Sequence, residues 1–348
     1  MKTNFILALF PVAKATNVQG TTATFAWVKR KYPIYLICVA GCLLCLHCVK
    51  EETGIYPPNA PEPVCFTAWT GSLPATRISN PEGNRWDTND RIGVYMTGYN
   101  KDLTTDGTLN KVNNAPYKVE AVTDNSATFV PVDVQYAAYF PRHYEDVAFI
   151  AYSPYKETGI TSDYLYPVDV SNQSSLAALD LVYCREMGPF NRNHTDVSLY
   201  FTHRLTKLEF VIRGGDGFQG SLSGMLMEIK NIRTSTTFQL SSGKLTDNGA
   251  GTKSITLRTS GTASEARAEA IVIPINANSG VTSVLLSFLD ASKTKHYECL
   301  VPSPANNEWK VGTRYRYEVA LTDGDRITVT GMDIVDWNDE YKRIVVRE

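Results

Sequence analysis

The feature that most constrains the fold is an alternation of apolar and polar residues that recurs between turn signals from residue 64 onward. Its clearest instance is residues 314–321, in which Tyr315, Tyr317, Val319 and Leu321 alternate with Arg314, Arg316, Glu318 and Ala320. Successive side chains of an extended strand point to opposite faces, so the pattern predicts a strand with one buried and one solvated face. Such strands are typical of antiparallel sheets.

The same alternation between turn-forming residues predicts many further strands. They are expected at 64–68, 91–97, 137–140, 147–152, 205–212, 267–273, 281–289, 296–301 and 326–334. No segment keeps a helical period over three turns, although 174–181 and 221–229 each fit a short helix. The chain is therefore predicted to be all-β and built from antiparallel β-sandwiches. Trp86, Trp309 and Trp337 are expected to fill the sandwich cores or strand ends.

The length of 348 residues favours two domains over one. A turn-rich break at 188–194 divides the body into an N-terminal sandwich at 64–194 and a C-terminal sandwich at 195–348. Each half then has a common domain size.

The first 63 residues are organised as an export signal and a spacer. Lys29-Arg30-Lys31 precedes an apolar run at 32–48, the layout of a secretory signal, and no basic flank follows it as it would a membrane span. Residues 1–48 are thus predicted to be a leader, and the polar, Pro-rich residues 49–63 an extended tether. Because residues 1–10 resemble a second short leader, we expect a mis-assigned start.

Two cysteines of the leader fit the pattern of bacterial lipoproteins, in which a small-residue box precedes an acylated cysteine. Val39-Ala40-Gly41 forms such a box before Cys42. Cys48 has His47 in its box but is followed by Lys50-Glu51-Glu52, which resembles the acidic segment of surface-exposed Bacteroidetes lipoproteins. We predict lipidation at Cys48, with Cys42 as the alternative. A signal peptide or membrane anchor without lipid is the other interpretation.

Composition and motifs argue against several functions. A net charge of -2 and a pI near 6.2 give no electrostatic signal for nucleic-acid binding. The sequence contains no GxSxG, HExxH, P-loop or dinucleotide fingerprint, so no catalytic residue or cofactor is assigned and the chain is predicted not to be an enzyme. The cysteines at 38–48 lie in an apolar run unlike a zinc site, and no metal is expected.

Two polar groups have structural interpretations that we prefer to functional ones. His203 lies in a predicted strand region and is expected to be buried and hydrogen-bonded rather than a catalytic base. Asp87, Asn89 and Asp90 lack the glycine and distal glutamate of a calcium loop, so an Asx turn is predicted.

A set of strand-and-turn motifs in consistent order is similar to the fimbrillin family of Bacteroidetes pilins. Each motif alone is weak, but the ordered set covers about residues 64–340. The motifs lie at 76–79, 86–96, 138–141, 149–155, 180–183, 197–208, 309–317 and 334–338. The resemblance implies two transthyretin-like sandwich domains, exported as a lipoprotein to the outer-membrane surface and its fimbria. It also implies three kinds of partner: homologous pilin subunits, the outer membrane through a lipid anchor, and surface ligands of host or bacteria.

The resemblance further implies a mode of assembly. Family members polymerise after an outer-membrane protease removes an N-terminal segment at a basic residue, and the vacated groove accepts a strand from a neighbouring subunit. Arg77, in the loop after the first predicted strand, matches the processing residue, and Ile344, Val345 and Val346 match a donor strand. Arg77 could instead be a solvated loop residue and the tail a final edge strand. The alternative function is a surface glycan-binding lipoprotein on a similar scaffold.

Overall fold

The computed structural model describes residues 63–336 apart from 71–85, 110, 124–125, 144, 247–250, 277–280, 282–283, 290–295, 302–307 and 323–325. The predicted leader, almost all of the tether and the tail after residue 336 lie outside the described residues, as does Trp337. Within the described part the chain is nearly all β, as predicted. A short helix α1 (Leu176–Leu179) and a 3₁₀ turn (Val134–Tyr136) accompany nineteen strands.

The strands belong to one barrel and three sheets. Their bounds are β1 (Cys65–Thr70), β2 (Arg91–Gly98), β3 (Ala115–Val122), β4 (Ser126–Pro131), β5 (Val147–Ser153), β6 (Leu165–Asp169), β7 (Val182–Phe190), β8 (Asp196–His203), β9 (Thr206–Gly214), β10 (Leu226–Arg233), β11 (Ser235–Gln239), β12 (Lys244–Thr246), β13 (Thr252–Arg258), β14 (Ser260–Gly261), β15 (Glu265–Val272), β16 (Leu285–Leu289), β17 (His296–Leu300), β18 (Thr313–Thr322) and β19 (Arg326–Asp336).

The N-terminal half forms a closed barrel in the order β1-β4-β3-β2-β5-β7-β8. Neighbouring strands are antiparallel except β8 and β1, which close the barrel in parallel. Strand β5 is buried along its whole length. Phe149 faces the barrel core, whereas Ile150 and Tyr152 face a second apolar cluster outside the barrel. A strand that contacts an apolar core on each face has a nearly continuous apolar sequence.

Two sheets of the C-terminal half enclose one core. The four-stranded sheet has the order β13-β10-β16-β17, and the five-stranded sheet has the order β14-β15-β9-β18-β19. Phe210 of β9 stacks on Tyr317 of β18 with ring centroids 5.5 Å apart, and the Trp309 indole N–H donates to the Tyr317 hydroxyl at 2.9 Å. Trp86 and Trp309 are therefore core residues, as predicted.

The two halves of the chain share a sheet and a core. Strand β6 of the first half pairs with β11 of the second, giving a three-stranded sheet of order β12-β11-β6. Over this sheet lies an apolar cluster that includes Tyr152 and Tyr183 from the first half and Phe238 and Ile271 from the second. The halves are thus joined by hydrogen bonds and burial as well as by the chain connection.

Several local predictions can be compared with the structure. Helix α1 falls inside 174–181, where the Ser175 side chain caps its first turn. The helix predicted at 221–229 is wrong: Leu226–Arg233 is strand β10, because Met227 and Ile229 reach the C-terminal core only with strand spacing. Residues 137–140 form no strand but a single bridge, Pro63 with Tyr139. Most pairings are antiparallel as predicted, but β9 also pairs with β18 in parallel.

The outer face of the five-stranded sheet carries alternating charges, and one of them is buried. Lys207 is 2% exposed, and its Nζ lies 3.0 Å from Glu209 Oε1 and 3.1 Å from Glu269 Oε2. Arg314 and Arg316 also approach Glu209, each at 3.7 Å. The alternation predicted a solvated lysine here. Lys207 is covered because its register partner Ile271 belongs to the core that the two halves share.

Candidate functional site

The first described strand, β1, lies between two neighbours in the barrel wall. It pairs with β4 on one side in antiparallel register and with β8 on the other in parallel register. In this arrangement Phe66 stands opposite both Phe129 and Val197. An interior strand satisfies backbone groups on both neighbours, so its removal would leave two open edges facing each other.

Alternate side chains of β1 and of the residue just before it fill the barrel core. Val64, Phe66 and Ala68 are buried, whereas Cys65, Thr67 and Trp69 are partly exposed. The Phe66 ring meets Tyr117 and Phe149 edge to face, with centroids 5.0 Å and 5.1 Å away. We call the place that these side chains occupy the β1 slot. If β1 were removed, Phe66 would leave the largest space and Val64 and Ala68 smaller ones on either side.

The first described residue after 71–85 also packs against the strands on either side of β1. Trp86 is buried and packs edge to face on Phe129 of β4 at 4.9 Å and on Phe201 of β8 at 5.1 Å. It therefore braces the two strands that flank β1. At the start of the slot, the Val64 N–H donates to the Ala138 carbonyl at 2.9 Å, and the Ala138 N–H donates to the Tyr117 hydroxyl at 2.7 Å.

The predicted site residues fall outside the described part of the chain. These are the lipidation residues Cys48 and Cys42, the processing residue Arg77, and the donor residues Ile344, Val345 and Val346. In the sequence, Arg77 lies between the end of β1 at Thr70 and the start of β2 at Arg91. A cut at Arg77 would therefore separate β1 from the rest of the body.

The structure confirms the prediction of a buried, hydrogen-bonded His203 and the prediction of an Asx turn at Asp87. His203 is buried, and its Nδ1 lies 2.7 Å from Oδ1 of the fully buried Asp180. The Asn89 N–H donates to the Asp87 carboxylate at 3.1 Å, which closes an Asx turn. Among the described residues no group of three or more His, Cys, Asp or Glu is arranged to hold a metal. No helix in that part of the chain is long and apolar enough to cross a membrane.

Sequence reasoning predicted β1 and placed His203 in a strand region, but it missed β4 and the pairing of β8 with β1. Strand β8 carries a period-2 signal, since Val197, Leu199 and Phe201 are buried and the residues between them are partly exposed. That signal was sufficient to predict a strand. The parallel pairing of β8 with β1 has no local signal, because the two strands are more than a hundred residues apart in the chain.

Comparison with known proteins places the chain in a family. Residues 76–337 match the sequence profile of a family described as fimbrillin-like. The chain belongs to this family. Among the relatives of this fimbrillin-like protein is Fim1C of Bacteroides uniformis, named as a candidate fimbrium subunit. It is 29% identical over 272 residues, which cover 76% of the present chain and 84% of the relative.

Solved structures have the same fold. A candidate cell adhesion protein from Bacteroides uniformis is 26% identical with a TM-score of 0.64, and the match covers 81% of the fimbrillin-like chain and 100% of the other. A candidate cell adhesion protein from Bacteroides ovatus has a TM-score of 0.61 at 17% identity, again with 81% and 100% covered. The second likeness shows the fold alone.

The importance of the β1 slot for the uncut fimbrillin-like protein can be measured directly. We expect Phe66→Ala to lower the free energy of unfolding by about 3 kcal/mol, because it removes a buried aromatic ring and its two edge-to-face contacts. Thr67→Ala, on the outer side of the same strand, is the control and should change it much less. Urea unfolding followed by tryptophan fluorescence checks both. Equal effects of the two variants would contradict the packing described here.

Proposed function

We propose that this fimbrillin-like protein is a structural subunit of a surface fimbrium and assembles by β-strand addition through the β1 slot. The observation that supports it most is the position of β1: hydrogen-bonded on both sides, buried at three alternate positions, and followed in the sequence by Arg77.

Physical chemistry links the cut to assembly. Loss of β1 would expose the backbone donors and acceptors of β4 and β8 together with the apolar floor at Tyr117 and Phe149. Unpaired backbone groups beside an apolar groove bind an extended segment, with the hydrogen bonds supplying affinity and the pockets supplying register. A strand from another subunit would restore both.

Residues 344–346 of a second copy have a sequence that suits a donor strand. Ile344 and Val346 lie two residues apart, so in an extended segment both point into the slot while Val345 points outward. β-branched residues favour the extended conformation, and the tail contains no proline to interrupt the ladder. Because donor and slot are different segments of the chain, the contact between two copies is head-to-tail, and it gives an open fibre unless it closes into a ring.

The test is assembly of the purified protein after cleavage. Treatment of the full chain with an Arg-specific protease should give ladders that resist SDS, with a cut mapped to Arg77 by N-terminal sequencing. A protein that is cut at Arg77 but stays monomeric would contradict the stalk role. An anchor or tip subunit, or a surface glycan-binding lipoprotein, would then be favoured.

We further propose that the protein reaches the outer-membrane surface as a lipoprotein, with residues 1–48 as leader and 49–63 as tether. The fatty acid would be attached at Cys48 or, alternatively, at Cys42. Each cysteine should be replaced by serine in a native-type host that is fed a fatty-acid analogue. We expect one replacement to abolish labelling and membrane partition. Labelling that survives both replacements would disprove the lipid anchor.

The division of the body into two transthyretin-like sandwich domains also remains a proposal. The strand pairings favour a boundary later than 194, because β8 pairs with β7 and β1 of the first half. Strand β9, in contrast, pairs with β15 and β18 of the second half. We therefore place the boundary at residues 204–205.

A further inference from the structure

A second concave site, with no described lining residue from β1, lies at the edge of the sheet that the two halves share. Its volume is about 420 Å³, within the range of small-molecule sites. It is formed by the β8–β9 connection, the β11–β12 hairpin, the segment after β15 and the loop before β18. Arg233, at the end of β10, completes the described lining.

The charged residues among the described lining of this pocket are all basic: Arg204, Arg233 and Lys244. The whole chain, in contrast, has a net charge of -2. Basic side chains gathered in a cleft raise the local concentration of anions.

Arg204 is held in place by the aromatic residue beneath it. Its guanidinium lies over the Tyr183 ring, 4.9 Å from the centroid. The Tyr183 hydroxyl donates to the Leu240 carbonyl at 2.8 Å, which fixes the ring. Gly243 passes against the same ring so closely that a Cβ would lie 2.7 Å from Tyr183 Cε1, and its φ of +68° also favours glycine. The cation is thus preorganised rather than a freely moving surface side chain.

Arg204 also has an unused hydrogen-bond donor. Its Nε is buried and has no hydrogen-bond partner among the described residues. Burial lowers the pKa of the Arg204 guanidinium, opposed by Tyr183 and Cys184, and no carboxylate of the described chain contributes. A buried cation without a counter-charge loses hydration without compensation. A carboxylate supplies both the charge and the two acceptor oxygens that match the planar donor fork.

The uncharged residues of the lining indicate the chemistry of the rest of the ligand, beyond its carboxylate. Thr236, Thr246 and Asn276 provide polar groups, and Leu245, Ile273 and Val311 provide aliphatic surface. Phe238, the aromatic residue in the lining, is fully buried and offers no open ring on which a planar base could stack. The pocket therefore suits a saturated, hydroxyl-bearing acid better than a nucleotide.

We propose that this pocket binds an acidic sugar, with the sugar carboxylate on Arg204 and Lys244 at the mouth of the pocket. Lys244 is exposed and therefore able to meet the ligand from solvent. The proposal concerns a surface distinct from the β1 slot and does not rest on assembly by strand addition.

Isothermal titration calorimetry of the uncut protein tests this with three probes: D-glucuronate, D-glucose, which lacks the carboxylate, and acetate, which lacks the sugar. We expect D-glucuronate to bind and the other two to bind at least about tenfold more weakly, since each lacks one set of contacts. Arg204→Gln should weaken glucuronate binding about tenfold or more, and Lys244→Gln by several-fold. Lys253→Gln, an exposed lysine on β13 outside the pocket lining, is the control and should change nothing.

Because Arg204 is partly buried, folding of its variant is checked by circular dichroism, and the exposed Lys244 gives an independent result. Glucuronate binding no tighter than that of glucose overturns the proposal. Acetate binding as tight as glucuronate also overturns it, because the site would then hold a simple carboxylate. Binding that Lys244→Gln and Lys253→Gln weaken equally places the ligand elsewhere and has the same consequence.

Discussion

Arg77→Ala is expected to remain uncut at this position and monomeric under conditions in which the parent chain, cut by an Arg-specific protease, forms SDS-resistant ladders. An uncut chain keeps β1 covalently attached, and an attached strand competes with a donor at a very high effective concentration. The slot with Phe66 at its centre then stays filled. Arg142→Ala, at an exposed arginine of the described chain, is the matched control and should assemble like the parent.

Deletion of residues 341–348 tests the other half of the same contact. We expect this variant to be cut normally and to fold, because the proposed assembly uses residues 341–348 as a donor strand for a second copy. It should accept a donor strand from an intact subunit but offer none, so that in mixtures it caps the fibre and shortens the ladder. Assembly of both variants like the parent would show that the protein is not a stalk subunit of the proposed kind.

Glu209→Ala is expected to be among the more destabilising substitutions on the outer face of the five-stranded sheet. It removes the carboxylate 3.0 Å from the buried Lys207 ammonium and leaves that cation with Glu269, which is 43% exposed, and two nearby arginines. Breaking a buried ion pair from one side costs more than replacing the whole pair. Allowing for the exposure of Glu269, we expect a loss of about 2 kcal/mol in the free energy of unfolding.

Lys207→Met provides the informative comparison. It removes the buried charge and keeps a similar volume, while Glu209 retains Arg314 and Arg316 at 3.7 Å. This variant should be within about 1 kcal/mol of the parent or more stable. Glu265→Gln, in the exposed pair with Arg213, is the surface control and should shift the urea midpoint least. A larger loss for Lys207→Met than for Glu209→Ala would contradict this account of the network.

Several strands could be predicted from local pattern. Strands β2, β5, β9 and β18 lie within one or two residues of the predicted ranges, although β5 is buried on both faces. The pattern does not show which outer faces are covered by another part of the chain. Lys207 is such a case, since its burial depends on Ile271 and the core shared between the halves.

Only one part of the candidate sites, the strand β1, could be predicted from the sequence. The β1 strand is predictable because Val64, Phe66 and Ala68 alternate with less buried residues. Its neighbours β4 and β8 are set by long-range pairing, for which local periodicity carries no information. The cationic pocket was not predicted either, because Arg204, Arg233 and Lys244 are separated in sequence and become neighbours only when β11 and β12 join β6.

The sheet that β6, β11 and β12 form has a mechanical consequence for a fibre under tension. Two domains joined by a bare linker would stretch at the linker before either domain yielded. Here, pulling the halves apart requires breaking the β6–β11 ladder and exposing Tyr183 and Phe238 to water. Each subunit is therefore expected to bear load as one stiff link, so that bending and extension concentrate at the junctions between subunits.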